Sequence, residues 1–187
     1  MGVHLSGAGR RAVFLDRDGV LNESVIREGN PYPPATIDEA VLVENAERDL
    51  ARLKQAGFLL IVVTNQPDVR RGTTSRQAVE AINSWLATRL PVDDIFVCYH
   101  DDADDCACRK PRSGLILAAI ARHGIDVAQS FLIGDRWRDM DAGAAAGCRT
   151  ILIDRGYSER RPRSEPDIRV QSLHEAVEWI LKEVALE

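Results

Sequence analysis

Five short apolar runs recur along the chain: AVFL at 12–15, FLLIVVT at 58–64, IFVCY at 95–99, SFLIG at 130–134 and TILID at 150–154. Runs of this length, rich in Val, Ile, Leu and Phe, suit strands buried on both faces. Helical patterns lie between them, and strands alternating with helices imply parallel pairing. The expected fold is therefore α/β, a Rossmann-like three-layer sandwich around a central parallel sheet. Asn45 is placed to cap a helix that stops at Gly57, and Thr74 or Ser75 opens one that runs toward Pro91. GLILAAIARHG ends at Gly124, DAGAAAG gives a short helix ending at Gly147, and Ser172 with Glu175 forms a capping box for the last helix.

A chain of 187 residues suits one core. We expect a flexible lead over 1–10 and a single domain over 11–187. The net charge of −5 leaves no basic footprint for nucleic acid, and no apolar run has the length of a membrane span or the pattern of a secretory leader. The expected setting is cytoplasmic, with no nucleic-acid or membrane partner. Residues 22–44, interrupted by Pro31, Pro33 and Pro34, and residues 98–113 form unusually long connections, and such loops are often functional. The charged stretch 155–167 reads as a solvated surface loop.

In open parallel sheets, ligands bind outside the carboxyl ends of the strands. The first run ends there in Asp16 and Asp18, the second in Thr64 and Asn65, and the third leads to Arg109 and Lys110. The fourth ends in Asp135, with Asp139 one turn on. Carboxylates, a hydroxyl and cations at one crevice have the composition of a phosphate and Mg²⁺ site. A lone D-x-D-G is more often a turn than a catalytic pair, so the order of the four segments matters more than any one.

The segments DRDG, VTNQ, RKP and GDRWRD, in this order, resemble the four motifs of the haloacid dehalogenase (HAD) superfamily of phosphohydrolases. The C-x-H and C-x-C before RKP resemble the zinc-bearing branch that holds heptose bisphosphate and histidinol-phosphate phosphatases. The resemblance implies a HAD-like fold without a large cap and a phosphatase acting on a small phosphorylated metabolite, with a heptose 1,7-bisphosphate as the preferred substrate. It implies that Asp16 attacks phosphorus to form an aspartyl-phosphate, and that Asp18 protonates the leaving group and then activates water. Mg²⁺ would be held by the carboxylates of Asp16 and Asp135 and the carbonyl of Asp18. Thr64, the backbone of Asn65 and Lys110 would hold the phosphoryl oxygens, while Arg136 and Arg109 would add positive charge, Arg109 toward a distal substrate group. Asp139 would orient Lys110 or the metal shell.

Cys98, His100, Cys106 and Cys108 cluster in a chain expected in a reducing compartment, which favours metal over disulfides. Their spacing is tighter than in ordinary zinc fingers, and three reduced cysteines in a mobile loop is the alternative. The resemblance implies structural Zn²⁺, which would fix the adjoining Arg109 and Lys110. Asp101, Asp102, Asp104 and Asp105 read as a solvated turn, Cys148 as a packed thiol, and His123 as a favourable charge at a helix end.

The chain departs from the branch pattern after the second motif, where TNQPDVRRG stands in place of TNQSGIARG. Pro67 and Asp68 therefore bear on substrate choice. With no cap, the loops at 22–44, 66–73 and 98–108 must shape the pocket, and a domain of this kind can act as a monomer. Two other classes compete. A receiver-like signalling module would need no proton donor at Asp18, and a zinc-bearing interaction module would need to have lost Asp16, Asp18, Lys110 or Asp135.

Overall fold

A computed structural model describes residues 9–27 and 30–186. Residues 1–8 of the expected lead lie outside the described residues, whereas Arg10 exchanges backbone hydrogen bonds with Gly124 and Asp126. Strands β1 (Ala12–Leu15), β4 (Leu59–Asn65), β5 (Asp94–Cys98), β6 (Phe131–Gly134) and β7 (Arg149–Ile153) coincide with the five apolar runs to within a residue. A sixth, β8 (Ile168–Val170), has too little apolar sequence to stand out. The sheet order is β5-β4-β1-β6-β7-β8, with every neighbouring pair parallel.

The runs are continuous because both faces of the sheet are covered. Val13 and Leu15 of β1 enter one apolar cluster with helices α1 (Ala46–Gln55) and α6 (Leu173–Val184). Phe14 points to the other face, where α4 (Gly114–His123) and α5 (Trp137–Ala146) pack. Three layers result. Helix α3 (Arg76–Ala87) is capped by Ser75 and adds Leu86 to the first cluster. It stops well before Pro91, while α5 starts four residues before the small-residue stretch expected to form it.

The expectation for Asn45 is corrected. It stands at the start of α1 in the left-handed region, φ 61°, and its side chain makes no capping bond. Residues 22–44 also hold more structure than their prolines suggested, namely an antiparallel pair, β2 (Val25–Arg27) and β3 (Asn30–Tyr32), and a 3-10 turn over Ile37–Glu39. Pro31 is tolerated because this small ribbon is separate from the main sheet. No larger insertion covers the strand ends among the described residues.

Phe14 is fully buried at the centre of the sheet. Phe14→Ala should destabilise the protein by about 3–5 kcal/mol, the usual cost of removing a core aromatic. Urea unfolding at fixed metal content measures this.

Candidate active site

The chain runs outward from β1 through β4 to β5, then returns to β6 on the other side of β1, so β1 and β6 flank the point where the connections reverse direction. A crevice opens there at the carboxyl ends of the strands. Asp16 follows β1 directly and Asp135 follows β6. The two lie with Asp139 close enough for their carboxylate oxygens to share one ion. Gly19 makes this possible. Its φ of +86° turns the chain away, and a Cβ there would collide with the Asp135 carboxylate. Arg155 holds the turn by donating two hydrogen bonds to the Gly19 carbonyl, at 2.8 and 3.2 Å.

Lys110 is buried in this floor and its ammonium is saturated. It donates to Asp16 Oδ1 at 2.7 Å, Asp139 Oδ1 at 2.5 Å and the Val63 carbonyl at 2.8 Å. Burial alone would lower its pKa, but the charges of Asp139 and Asp16 raise it. Asp139 also accepts from the Arg136 backbone N–H at the start of α5, so it orients Lys110 and caps the helix together. Asn65 fixes the lysine from the other side. Its side chain donates to the Lys110 carbonyl at 3.0 Å and accepts from the Lys110 N–H at 3.1 Å.

Burial pushes the Asp16 carboxyl up to about 6, Lys110 opposing this and Asp139 and Asp18 adding to it. Asp135 is raised well above its ordinary value by burial and by the charges of Asp16 and Asp139. Both of its oxygens are buried without a hydrogen-bond partner. Two unsatisfied anionic oxygens beside a second carboxylate form a hard oxygen donor set, which fits Mg²⁺. Asp18, by contrast, is surrounded by donors: Arg17 through Nε at 3.1 Å and Nη2 at 3.0 Å, Asn22 Nδ2 at 3.0 Å and Gln66 Nε2 at 2.7 Å. Gln66 Nε2 also lies 3.0 Å from Thr64 Oγ1, joining the second strand end to the Asp18 carboxylate. Arg17 is fully buried and braced by Asn83. Sequence reading passed over Arg17 and Gln66, whose bonds to Asn83 and to Asp18 reach across separate elements.

All the strand-end residues meet in one pocket of about 360 Å³. Asp16, Asp18, Thr64, Asn65, Arg109, Lys110, Asp135 and Arg136 all line it. Pro31, Tyr32 and Pro33 form one rim, and Pro67, Asp68 and Arg71 another. The stretch at 155–167, expected to be a solvated loop, instead brings Tyr157, Ser158 and Glu159 into the pocket. Burial, with the Asp135 charge adding, pushes Tyr157 up to about 12.

The cysteine segment folds into a compact knot. Cys98 Sγ lies 3.7 Å from Cys106 Sγ and 3.2 Å from Cys108 Sγ, and the latter two are 3.4 Å apart. His100 Nδ1 lies 3.6 and 3.3 Å from Cys98 and Cys108. A tetrahedral ion with Zn–S near 2.3 Å and Zn–N near 2.0 Å requires edges of roughly 3.5–3.8 Å, so the four donors already stand close to its geometry. Burial and the Cys108 contact raise the Cys98 thiol pKa, so a bound cation would have to displace that proton. The intervening acidic residues are not simply solvated, as expected, but ion-paired. Asp101 pairs with Arg71, Asp104 with Arg70, Asp102 with Arg109 and Asp105 with Arg112.

Residues 107–176 match the HAD-hydrolase-like family model. The chain is 33% identical over 186 residues to the D-glycero-beta-D-manno-heptose-1,7-bisphosphate 7-phosphatase of Haemophilus ducreyi, covering 92% of this chain and 99% of that protein. It is 32% identical to the protein of the same name from Escherichia coli K12, with 93% and 90% covered. Among solved structures it resembles D,D-heptose 1,7-bisphosphate phosphatase from B. bronchiseptica, complexed with magnesium and phosphate, at TM-score 0.78 and 30% identity. That match covers 92% of this chain and 99% of the other.

Two outcomes follow from the site. In metal-free protein the folded state holds protons on Asp16 and Asp135 more tightly than the unfolded chain, so their contribution to stability falls as pH rises. For Asp16 the fall spans its ordinary value of 3.8 to about 6. Asp135→Asn should therefore be at least as stable as wild type in EDTA at pH 7, while losing the rise in Tm that millimolar Mg²⁺ gives wild type; melts with and without Mg²⁺ check both. Cys106→Ser should lose bound zinc and several degrees of Tm while changing kcat less. Metal analysis finding under about half an equivalent of zinc in wild type would reject the site.

Proposed function

This chain belongs to the D-glycero-beta-D-manno-heptose-1,7-bisphosphate 7-phosphatase family of HAD-like hydrolases, and from that premise we propose that it hydrolyses the 7-phosphate of a heptose 1,7-bisphosphate. The observation that carries the proposal is the meeting of Asp16, Lys110 and the unpartnered Asp135 carboxylate on the floor of a pocket whose outer wall carries arginines.

A phosphate monoester repels an anionic nucleophile, so the site must compensate charge and align the attack. The carboxylates of Asp16 and Asp135, with the Asp18 carbonyl, would hold Mg²⁺, which when bound supplies positive charge against the phosphate oxygens. Asp16, fixed by Lys110, attacks phosphorus and becomes an aspartyl-phosphate as the sugar oxygen departs. Asp18 gives that oxygen a proton and later takes one from the water that cleaves the acyl-phosphate. The donors around Asp18 hold its carboxylate in one orientation, which suits the second step directly, while the first requires it to carry a proton to the sugar oxygen. The Thr64 hydroxyl and the Asn65 backbone face the same phosphoryl group. Lys110 reaches it by exchanging one of its three present acceptors.

Pro67 and Asp68 are compatible with an anionic substrate. Pro67 begins the one-turn helix α2 (Asp68–Arg71), and Arg71 lies 3.4 Å from the Asp68 carboxylate, which compensates its charge. No helix among the described residues is long and apolar enough to cross a membrane.

The test is phosphate release, with Mg²⁺, from heptose 1,7-bisphosphate in both anomers, histidinol phosphate and a panel of other sugar phosphates. Selective release from the heptose 7-position is expected, and Asp16→Asn should lower kcat by at least about 10³-fold because an amide is a poor nucleophile. Turnover of a different phosphoester alone would retain the mechanism and reject the substrate.

A further inference from the structure

The turn that carries Asp18 is built on the residue least able to hold its own backbone. Gly19 has a φ of +86°, and the Asp135 carboxylate leaves no room there for a Cβ. A glycine peptide reorients more easily than any other, so this turn depends on its partners. Two peptide planes meet at Gly19. The plane between Asp18 and Gly19 is bonded through the Gly19 N–H, which donates to the Asn22 carbonyl at 2.7 Å. The carbonyl of a trans peptide points opposite to its N–H, so this bond also sets the direction of the Asp18 carbonyl. The plane between Gly19 and Val20 is bonded on one side by the Val20 N–H, 3.3 Å from the Arg17 carbonyl, and on the other by Arg155.

Arg155 reaches this turn from 136 residues along the chain, donating Nη2 and Nε to the Gly19 carbonyl at 2.8 and 3.2 Å. Among the described residues its side chain makes no other hydrogen bond or ion pair. Its own backbone is fixed on both sides: the Asp154 N–H donates to the Val170 carbonyl of β8 at 2.8 Å, and the Asp154 carboxylate accepts from the Gly156 N–H at 3.0 Å. A half-buried guanidinium usually offsets its desolvation by pairing with a carboxylate. Here the whole fork is given to one neutral carbonyl, the one that follows Asp18.

We propose that Arg155 is a positioning residue for the Mg²⁺ site. By clamping the Gly19 carbonyl it prevents the glycine peptides from turning over, and so keeps the Asp18 carbonyl directed for the ion. The inference rests on the phosphatase reading and deepens it. Arg155 acts through Gly19 and touches none of the reacting groups. Its charge works in the opposite sense, since a fixed cation near the site opposes a second cation. Charge alone therefore predicts that neutralising Arg155 tightens metal binding, whereas loss of the clamp predicts that it weakens.

The experiment titrates the full chain, without substrate, with Mn²⁺, counting free ion by its EPR signal and competing with Mg²⁺; both ions take octahedral oxygen sites. Arg155→Met should raise the Mg²⁺ Kd by about tenfold, the scale for a residue that orients a metal ligand. Arg155→Lys, with one donor head, should raise it less. An unchanged or lower Kd in Arg155→Met would overturn the inference while the metal reading stands. A lower Tm in EDTA with an unchanged Kd would show a clamp that serves folding only, and would overturn it too. If Arg155→Met does not fold, Arg155→Lys decides, with a rise of about threefold expected and an unchanged or lower Kd counting against the inference. A wild type with no Mg²⁺-displaceable Mn²⁺ site would reject the metal reading and this inference with it.

Discussion

The buried ammonium of Lys110 allows carboxylates to share the floor of the site. Asp16 and Asp139 each lie within a short hydrogen bond of it, and Asp135 stands beside them with no partner of its own. Buried anions in such proximity cost several kcal/mol each unless countered. Much of the surrounding structure serves to keep Lys110 in place. The Asn65 amide grips its backbone on both sides, Asp139 holds its charge while capping α5, and the Cys106–Cys108 limb of the cysteine knot ends two residues before it. A structural cation at the knot would thus act on the reaction through chain position rather than through chemistry.

Asp16 and Asp18 are two residues apart and experience different surroundings. Asp16 is desolvated and faces other carboxylates, which raises its pKa, whereas Asp18 accepts hydrogen bonds from Arg17, Asn22 and Gln66. Separate environments for neighbouring carboxylates are what the proposed division between an attacking and a proton-moving carboxylate requires. The difference originates in the end of β1: Asp16 follows the buried strand directly, its N–H still bonded to the Ile133 carbonyl, while Asp18 sits in the turn that Gly19 redirects.

Around this floor lies a rim of ion pairs. The acidic residues between His100 and Cys106 hold Arg70, Arg71, Arg109 and Arg138, so a loop lacking a core of its own is fastened to α2 and α5. Exposed pairs such as Arg70–Asp104 contribute little to stability individually. Their effect is geometric: they limit where guanidinium groups can point within a pocket that has no large cap.

The parallel α/β sheet was determined by the sequence alone, since continuous apolar strands between amphipathic helices have no other stable arrangement. The residues at the strand ends were legible for the same reason: a buried strand that stops at Asp, Thr or Asp-x-x-x-Asp delivers those groups to one edge. β8, the β2–β3 ribbon and the left-handed Asn45 were not legible, because short or proline-bearing segments owe their conformation to neighbours rather than to periodicity. Tertiary structure alone decided that Arg17 and Gln66 hold Asp18, that Tyr157 and Glu159 enter the pocket, and that Asp102 ties Arg109 to Arg138. Apart from Arg17 and Asp18, which are neighbours in the chain, those contacts join residues from separate elements. Their free energy depends on distance in space, which linear spacing along the chain does not encode.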